Sequence, residues 1–96
     1  MEKDIQFHEI KVQLPELRTW FRDAEMYPSL TELKLLMIFL SDPYHQFTYE
    51  ELIRRLQLTS ASALAVNVWK LRKMLDQRYI VTVHGCGYAF AEQRKN

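Results

Sequence analysis

The stretch Val66–Phe90, VNVWKLRKMLDQRYIVTVHGCGYAF, changes from helical to strand periodicity within a few residues. Leu64, Val68, Leu71 and Leu75 recur at i, i+4, i+7 and i+11, the spacing of a helix with one buried stripe. Directly after it, Tyr79 to Val83 is rich in β-branched residues, and Tyr88 to Ala91 forms a return strand. Between them Gly85 and Gly87 can both take the positive φ of a tight hairpin turn. A one-sided helix and a short hairpin are each marginal alone, so the rest of the chain must give them something to pack on.

Residues 5–27 alternate and punctuate like short strands. Ile5 and Phe7 form one pattern, and Ile10, Val12 and Leu14 before Pro15 a second. Leu17 to Phe21, a polar turn at Arg22-Asp23-Ala24, and Glu25 to Tyr27 complete an antiparallel sheet of three or four strands. Ser29-Leu30-Thr31-Glu32 is a capping box, with Leu33, Leu36, Met37 and Leu40 on the helix face behind it and Asp42-Pro43 as its stop. Thr48-Tyr49-Glu50-Glu51 is a second capping box, opening a helix with Leu52, Ile53 and Leu56 inward. Thr59-Ser60-Ala61-Ser62 then breaks the chain and caps a third helix over 62–76. The expected class is α+β in one domain, 1–96: a sheet over 5–27, three helices over 29–76 and a hairpin over 79–91. That order is a winged helix-turn-helix.

With 48% hydrophobic residues, 96 residues can close a core without covalent staples. A single cysteine, Cys86, excludes an internal disulfide framework and fits a reducing compartment. The longest apolar run, Leu35 to Leu40, is far below the ~18 residues of a membrane span. The first residues lack a signal-peptide pattern. The expectation is a cytoplasmic chain with no membrane partner. The net charge of +1 is unevenly spread. Residues 1–48 hold five Lys/Arg against eight acids, and residues 49–96 hold eight against four. Such asymmetry points to one face meeting an anionic partner, although a charge cluster is also the ordinary form of a solvated face.

Catalytic and metal chemistry find no constellation. His8, His45 and His84 are scattered, and with Cys86 they give no metal-ligand spacing. Glu50, Glu51 and Asp42 are accounted for by caps and helix ends. The two-glycine hairpin lacks the Lys-Ser/Thr and the strand-loop-helix setting of a phosphate loop. The reading is therefore not an enzyme, with no metal and no cofactor.

Four stretches carry a family resemblance. They are Leu30-Thr31-Glu32-Leu33-Lys34-Leu35-Leu36, Phe47-Thr48-Tyr49-Glu50-Glu51-Leu52, Val66 through Leu75 with its Leu-Arg-Lys-x-Leu end, and Ile80 to Phe90. Together with the leading sheet they resemble the DNA-binding effector domain of OmpR/PhoB-type response regulators, over almost the whole chain. The resemblance implies a transcriptional regulator of a two-component system, with the third helix in the major groove of duplex DNA. The wing would contact the adjacent minor groove or its phosphates. It further implies two copies on repeated half-sites, a receiver domain upstream, and contact with RNA polymerase.

Several positions depart from the family pattern. Ser62 and Ala63 stand where an Arg-Thr pair is frequent, His84 where the wing usually has arginine, and Ala89 where a basic residue is frequent. The loop near Leu58 to Ala61 is short, which weakens the polymerase contact that relatives make through it. These departures support the alternative reading, a winged-helix protein-interaction or dimerisation module.

With the leucine stripe buried, the opposite face of the third helix carries Ser62, Ala63, Val66, Asn67, Lys70 and Lys73. Asn67 is the first candidate base reader, since an amide pairs bidentately with adenine; its plain alternative is an exposed helical Asn. Ser62, Ala63 and Val66 suit thymine methyls or backbone. Lys70, Arg72 and Lys73 suit phosphates. Thr48 and Tyr49 offer a hydroxyl and a helix N-terminus to phosphate, with Thr48 first of all a cap. His84, Gly85, Cys86 and Gly87 form the wing tip, where His84 adds charge only when protonated. Trp69 fits packing at the helix edge, stacking near sugar-phosphate, or a protein contact, and packing is the preferred reading.

Overall fold

The computed structural model describes residues 4–91. Four short strands open the chain as an antiparallel meander in the order β1-β2-β3-β4: β1 (Ile5–Phe7), β2 (Ile10–Gln13), β3 (Arg18–Phe21) and β4 (Ala24–Met26). The two-residue turn between β3 and β4 has positive φ at both Arg22 (52°) and Asp23 (65°), as the twist of a tight hairpin requires. Ile10, Val12 and Phe21 turn inward, and the sheet lays this face on the helices.

The first helix, α1 (Leu30–Ser41), begins with a complete capping box: Ser29 Oγ accepts the Glu32 amide and the Glu32 carboxylate accepts the Ser29 amide. This satisfies a buried Glu32 that has no ion pair among the described residues. The inward face of α1 is Leu35, Leu36, Ile38 and Phe39, whereas Leu33, Met37 and Leu40 lie only partly buried at its edge. The expected stripe shared Leu36 with the real one and was rotated from it. In a run as apolar as Leu35 to Leu40, periodicity cannot fix the angle at which the helix docks.

Residues 46–48 form a strand, β5 (Gln46–Thr48), before α2 (Tyr49–Leu56), which the sequence had suggested only as the approach to a helix. Thr48 caps α2 through the Glu51 amide, but the return half of the second capping box is missing, and the Glu51 carboxylate lies 3.6 Å from Arg55 instead. Gln57 closes α2 in the left-handed conformation (φ 56°), with Leu58 N–H reaching the Ile53 carbonyl. Ser60 then caps α3 (Ala61–Met74), which begins and ends slightly earlier than 62–76. A short 3-10 turn (Gln77–Tyr79) leads into β6 (Ile80–Val83) and β7 (Gly87–Phe90).

These last strands are part of a three-stranded sheet, β5-β7-β6, so the wing hairpin is anchored by a strand about forty residues upstream. Of the two hairpin glycines only Gly85 has positive φ (76°), at the third position of a turn closed by Cys86 N–H to the Val83 carbonyl. Gly87 is needed for another reason. It faces Thr48 in the β5–β7 register, and a Cβ there would lie 1.8 Å from the Phe47 carbonyl oxygen. Close approach, not turn geometry, excludes a side chain.

The core joins both sheets to the helices. Phe90 stacks on Phe39 (5.3 Å between centroids) and on Tyr79 (5.7 Å), while Phe7 and Phe21 approach this cluster from the first sheet. Leu64, Val68, Leu71 and Leu75 are all buried, as the spacing predicts.

Candidate nucleic-acid interface

Helices α2 and α3 with the four residues 57–60 between them make a helix-turn-helix, and the β6–β7 hairpin flanks α3. The buried leucine stripe fixes how α3 sits. Successive residues turn by about 100°, so Ser62, Val66, Trp69 and Lys73 form the ridge pointing away from the core. All four are exposed, Val66 at 48% and Trp69 at 57%. Ala63 and Lys70 lie on one shoulder of that ridge.

Asn67 lies elsewhere than expected. It sits about 70° from the centre of the buried stripe, on the flank of α3, and is half-buried. Its Nδ2 donates to the Ala63 carbonyl at 2.9 Å, one turn back on the same helix. That bond uses one of the two amide protons, and Oδ1 with the second proton is what a bidentate contact to adenine would use.

The three basic residues of α3 separate into three situations. Lys70 is exposed and has no ion pair among the described residues. Lys73 lies with Nζ 4.2 Å from the centroid of the Trp69 ring. Arg72 is turned to the hairpin: its guanidinium donates to the Ile80 carbonyl (3.1 and 2.8 Å) and to Thr82 Oγ1 (2.7 Å), and lies 5.7 Å from the Tyr88 ring centroid. Arg72 is thus a brace that ties β6 to α3, and the phosphate role expected of it would fall to its remaining N–H groups. The 3.6-residue count already separates the two, Lys73 on the outward ridge and Arg72 on the flank; the hairpin beside that flank gives Arg72 its partners.

The start of α2 is also largely committed. Thr48 Oγ1 accepts the Glu51 amide, and the Tyr49 amide donates to the Cys86 carbonyl at 3.0 Å. That bond seats the wing turn against the N-terminus of α2, and Glu50 and Glu51 put negative charge beside it. The Tyr49 amide is therefore not open to phosphate, although the exposed Thr48 hydroxyl keeps its own proton to donate. The Tyr49 ring packs edge-on against Tyr88, whose hydroxyl is pushed above the ordinary phenol range by burial. At the wing tip His84 and Gly85 are exposed and Cys86 is half-buried.

Two features of this surface were missed from sequence. Arg54 and Arg55 are exposed on α2, Arg54 with no ion pair among the described residues, adding cations next to α3. Trp69 is the larger correction: packing at the helix edge was expected, and the ring is more exposed than not. Its place on the outward ridge follows from the same 3.6-residue count that found the leucine stripe.

A second charged cluster lies where the first sheet meets the end of α3. Arg22 Nε donates to Glu9 Oε2 at 2.8 Å and reaches Asp76 at 3.4 Å, Arg78 grips the same Asp76, and Tyr79 OH donates to Glu9 Oε1 at 3.0 Å. The Arg78 guanidinium and amide hold the Asp76 carboxyl far below the usual carboxylate range. Arg22 does the same more mildly for Glu9, and burial with the Glu9 contact raises the Tyr79 hydroxyl. Every group here is spent on another, as in a structural clamp. Among the described residues no group of three His, Cys, Asp or Glu could hold a metal ion, and no helix is long and apolar enough to cross a membrane.

Comparison with known proteins places this arrangement. The chain is 27% identical over 90 residues to the transcriptional regulatory protein QseB of Haemophilus influenzae; the match takes in 90% of this chain and 41% of QseB. The chain therefore spans about two-fifths of the length of that relative. The C-terminal domain of the nisin resistance regulator NsrR, a lantibiotic response regulator, superposes with a TM-score of 0.78 at 29% identity, covering 94% of this chain and 99% of that one. The DNA-binding domain of the response regulator AdeR, solved in complex with an intercistronic region, gives 0.82 at 21% identity over 93% of this chain and 99% of its own. The family model for the C-terminal part of transcriptional regulatory proteins matches residues 9–90, from the second strand through the wing. This chain belongs to that family, the winged-helix effector domains of OmpR/PhoB-type response regulators.

Proposed function

We propose that this domain binds duplex DNA sequence-specifically as the effector of a transcriptional regulator, with α3 in the major groove and the wing on the adjacent minor groove. The observation that carries the reading is the outward ridge of α3: a helix pinned by four buried residues that leaves Ser62, Val66 and Trp69 open to solvent, with Lys70 beside them and without an ion pair among the described residues. The AdeR domain, of the same fold, was solved on DNA, which supports the same use of the surface here. Ser62, Ala63 and Val66 face the base edges. Asn67 joins them from the flank through Oδ1 and its second amide proton. Lys70 and Lys73 neutralise phosphates, Arg54 and the Thr48 hydroxyl add backbone contacts, and His84 meets the neighbouring groove from the wing.

In the full-length regulator a receiver domain would precede this one, and a second copy would occupy the next half-site about one helical turn away. The four residues 57–60 expose Gln57, Thr59 and Ser60, a short loop surface for any contact with RNA polymerase. Regulation of transcription by such a domain places it in the cytoplasm.

Selection of bound sites from random duplexes, followed by salt titration, tests the reading. Saturable binding to selected sites above random competitor is expected, with Asn67→Ala weakening discrimination at one base position. No saturable binding at low salt, together with self-association of the domain, would establish the protein-interaction module instead.

A further inference from the structure

We infer that Trp69 is a specificity-determining residue that reads thymine through its 5-methyl group, an inference that rests on the DNA-binding reading above. Only six large hydrophobic side chains are exposed among the described residues, and two of them, Val66 and Trp69, lie next to each other on the outward ridge of α3. The other large apolar side chains of this helix, Leu64, Val68 and Leu71, are buried and Met74 is partly so, and the exposed pair is not explained by the core.

The surroundings of the pair identify an occupant. Lys73 covers one face of the indole, and Lys70, with no ion pair among the described residues, stands on the shoulder of the ridge. An apolar strip edged by cations fits a surface that is anionic at its rims and apolar at isolated points along its floor. The major groove is such a surface, since the thymine C5-methyl is the one apolar group that a base presents there. A protein partner with an apolar patch would meet the two lysines at the edge of its contact. A second copy of this chain would bring the same cations against them.

The Lys73 contact also sets the geometry. An ammonium 4.2 Å from the ring centroid restricts a side chain that would otherwise sample several rotamers, and so lowers the cost of ordering it on DNA. With one face covered, the indole edge and the Val66 methyls remain open to the groove. Hydrogen-bonded readout is correspondingly thin here. Asn67 is on the flank and already bonded, and the frequent Arg-Thr pair of the family is replaced by Ser62 and Ala63.

The test uses a site selected from random DNA and the same site with thymine replaced by deoxyuridine at single positions, which removes one methyl group and nothing else. The 96-residue chain should lose about fourfold in affinity at each thymine that meets α3, the factor expected for one buried carbon. Trp69→Ala should bind more weakly and lose that sensitivity, with an unchanged thermal midpoint because the ring is exposed. In a Trp20→Phe background the Trp69 emission should shift on binding. Equal affinity for thymine and deoxyuridine sites, or methyl sensitivity preserved in Trp69→Ala, overturns the inference while leaving DNA binding intact. Intact binding with loss of self-association in Trp69→Ala overturns it in favour of a protein contact. Failure to bind any selected site overturns the functional reading itself.

Discussion

At the first sheet Arg18 forms a forked pair with Glu25, both contacts at 2.9 Å, and Arg22 reaches Glu9 and Asp76 together. On the front of α3 and on α2, Lys70 and Arg54 have no carboxylate among the described residues, and Lys73 leans on an indole. Both regions are rich in charge, yet one satisfies its cations internally and the other leaves them for something else. A net charge of +1 conceals this, because paired and unpaired cations count alike in a sum. What matters to a polyanion is the local field of the unpaired ones.

The sharpest way to break that contrast is Arg72, the one cation of α3 treated like those of the sheet. Arg72→Ala should cost about 1–3 kcal/mol of stability through the freed Ile80 carbonyl, and should lower DNA affinity on all sequences by loosening the wing. Urea denaturation and a binding titration check the two halves. An unchanged urea midpoint would return Arg72 to the phosphate contacts. Next comes Lys70→Ala, which should leave the urea midpoint in place while weakening binding evenly across sequences and lowering the salt slope by about 1.

Asp76→Asn should show the reverse, lower stability with unaltered DNA affinity. Because Asp76 and Glu9 titrate below their ordinary range in the folded state, their stabilisation is present above about pH 4 and fades as the pH falls through the folded values. Asp76→Asn should therefore unfold more easily at pH 7 and lose less than the parent chain between pH 5 and about pH 2. Equal acid slopes would show that the clamp contributes nothing. Arg18→Ala should be the smallest change, since exposed pairs are worth little even when forked, and its urea midpoint should barely move.

How legible these regions were depends on the reach of the interactions that make them. The caps at Ser29, Thr48 and Ser60 were readable because donor and acceptor lie within three residues. The α3 stripe was readable because its polar intervals left a single angle for burial. The α1 face was not, because apolar residues surround it. Trp69 was placed on the wrong side of the ledger by residue type: a tryptophan suggests packing, whereas its position in the 3.6-residue count puts it outward. Asn67 differs the other way: its chemistry suits adenine, while its angle puts it on the flank.

By itself, then, the sequence determined the order of elements apart from β5 and the short 3-10 turn, the three helix starts, the buried side of α3 and the wing, all of which depend on neighbours a turn or two away. Tertiary structure decided which residues were left over. Gly87 is glycine because Phe47 passes against it, Arg72 serves the hairpin because Ile80 offers a carbonyl there, and Arg22 is neutralised by an aspartate 54 residues further on. Whether a charged or apolar side chain is free to meet a partner depends on what the fold has already placed beside it, and that is not a local property of the chain.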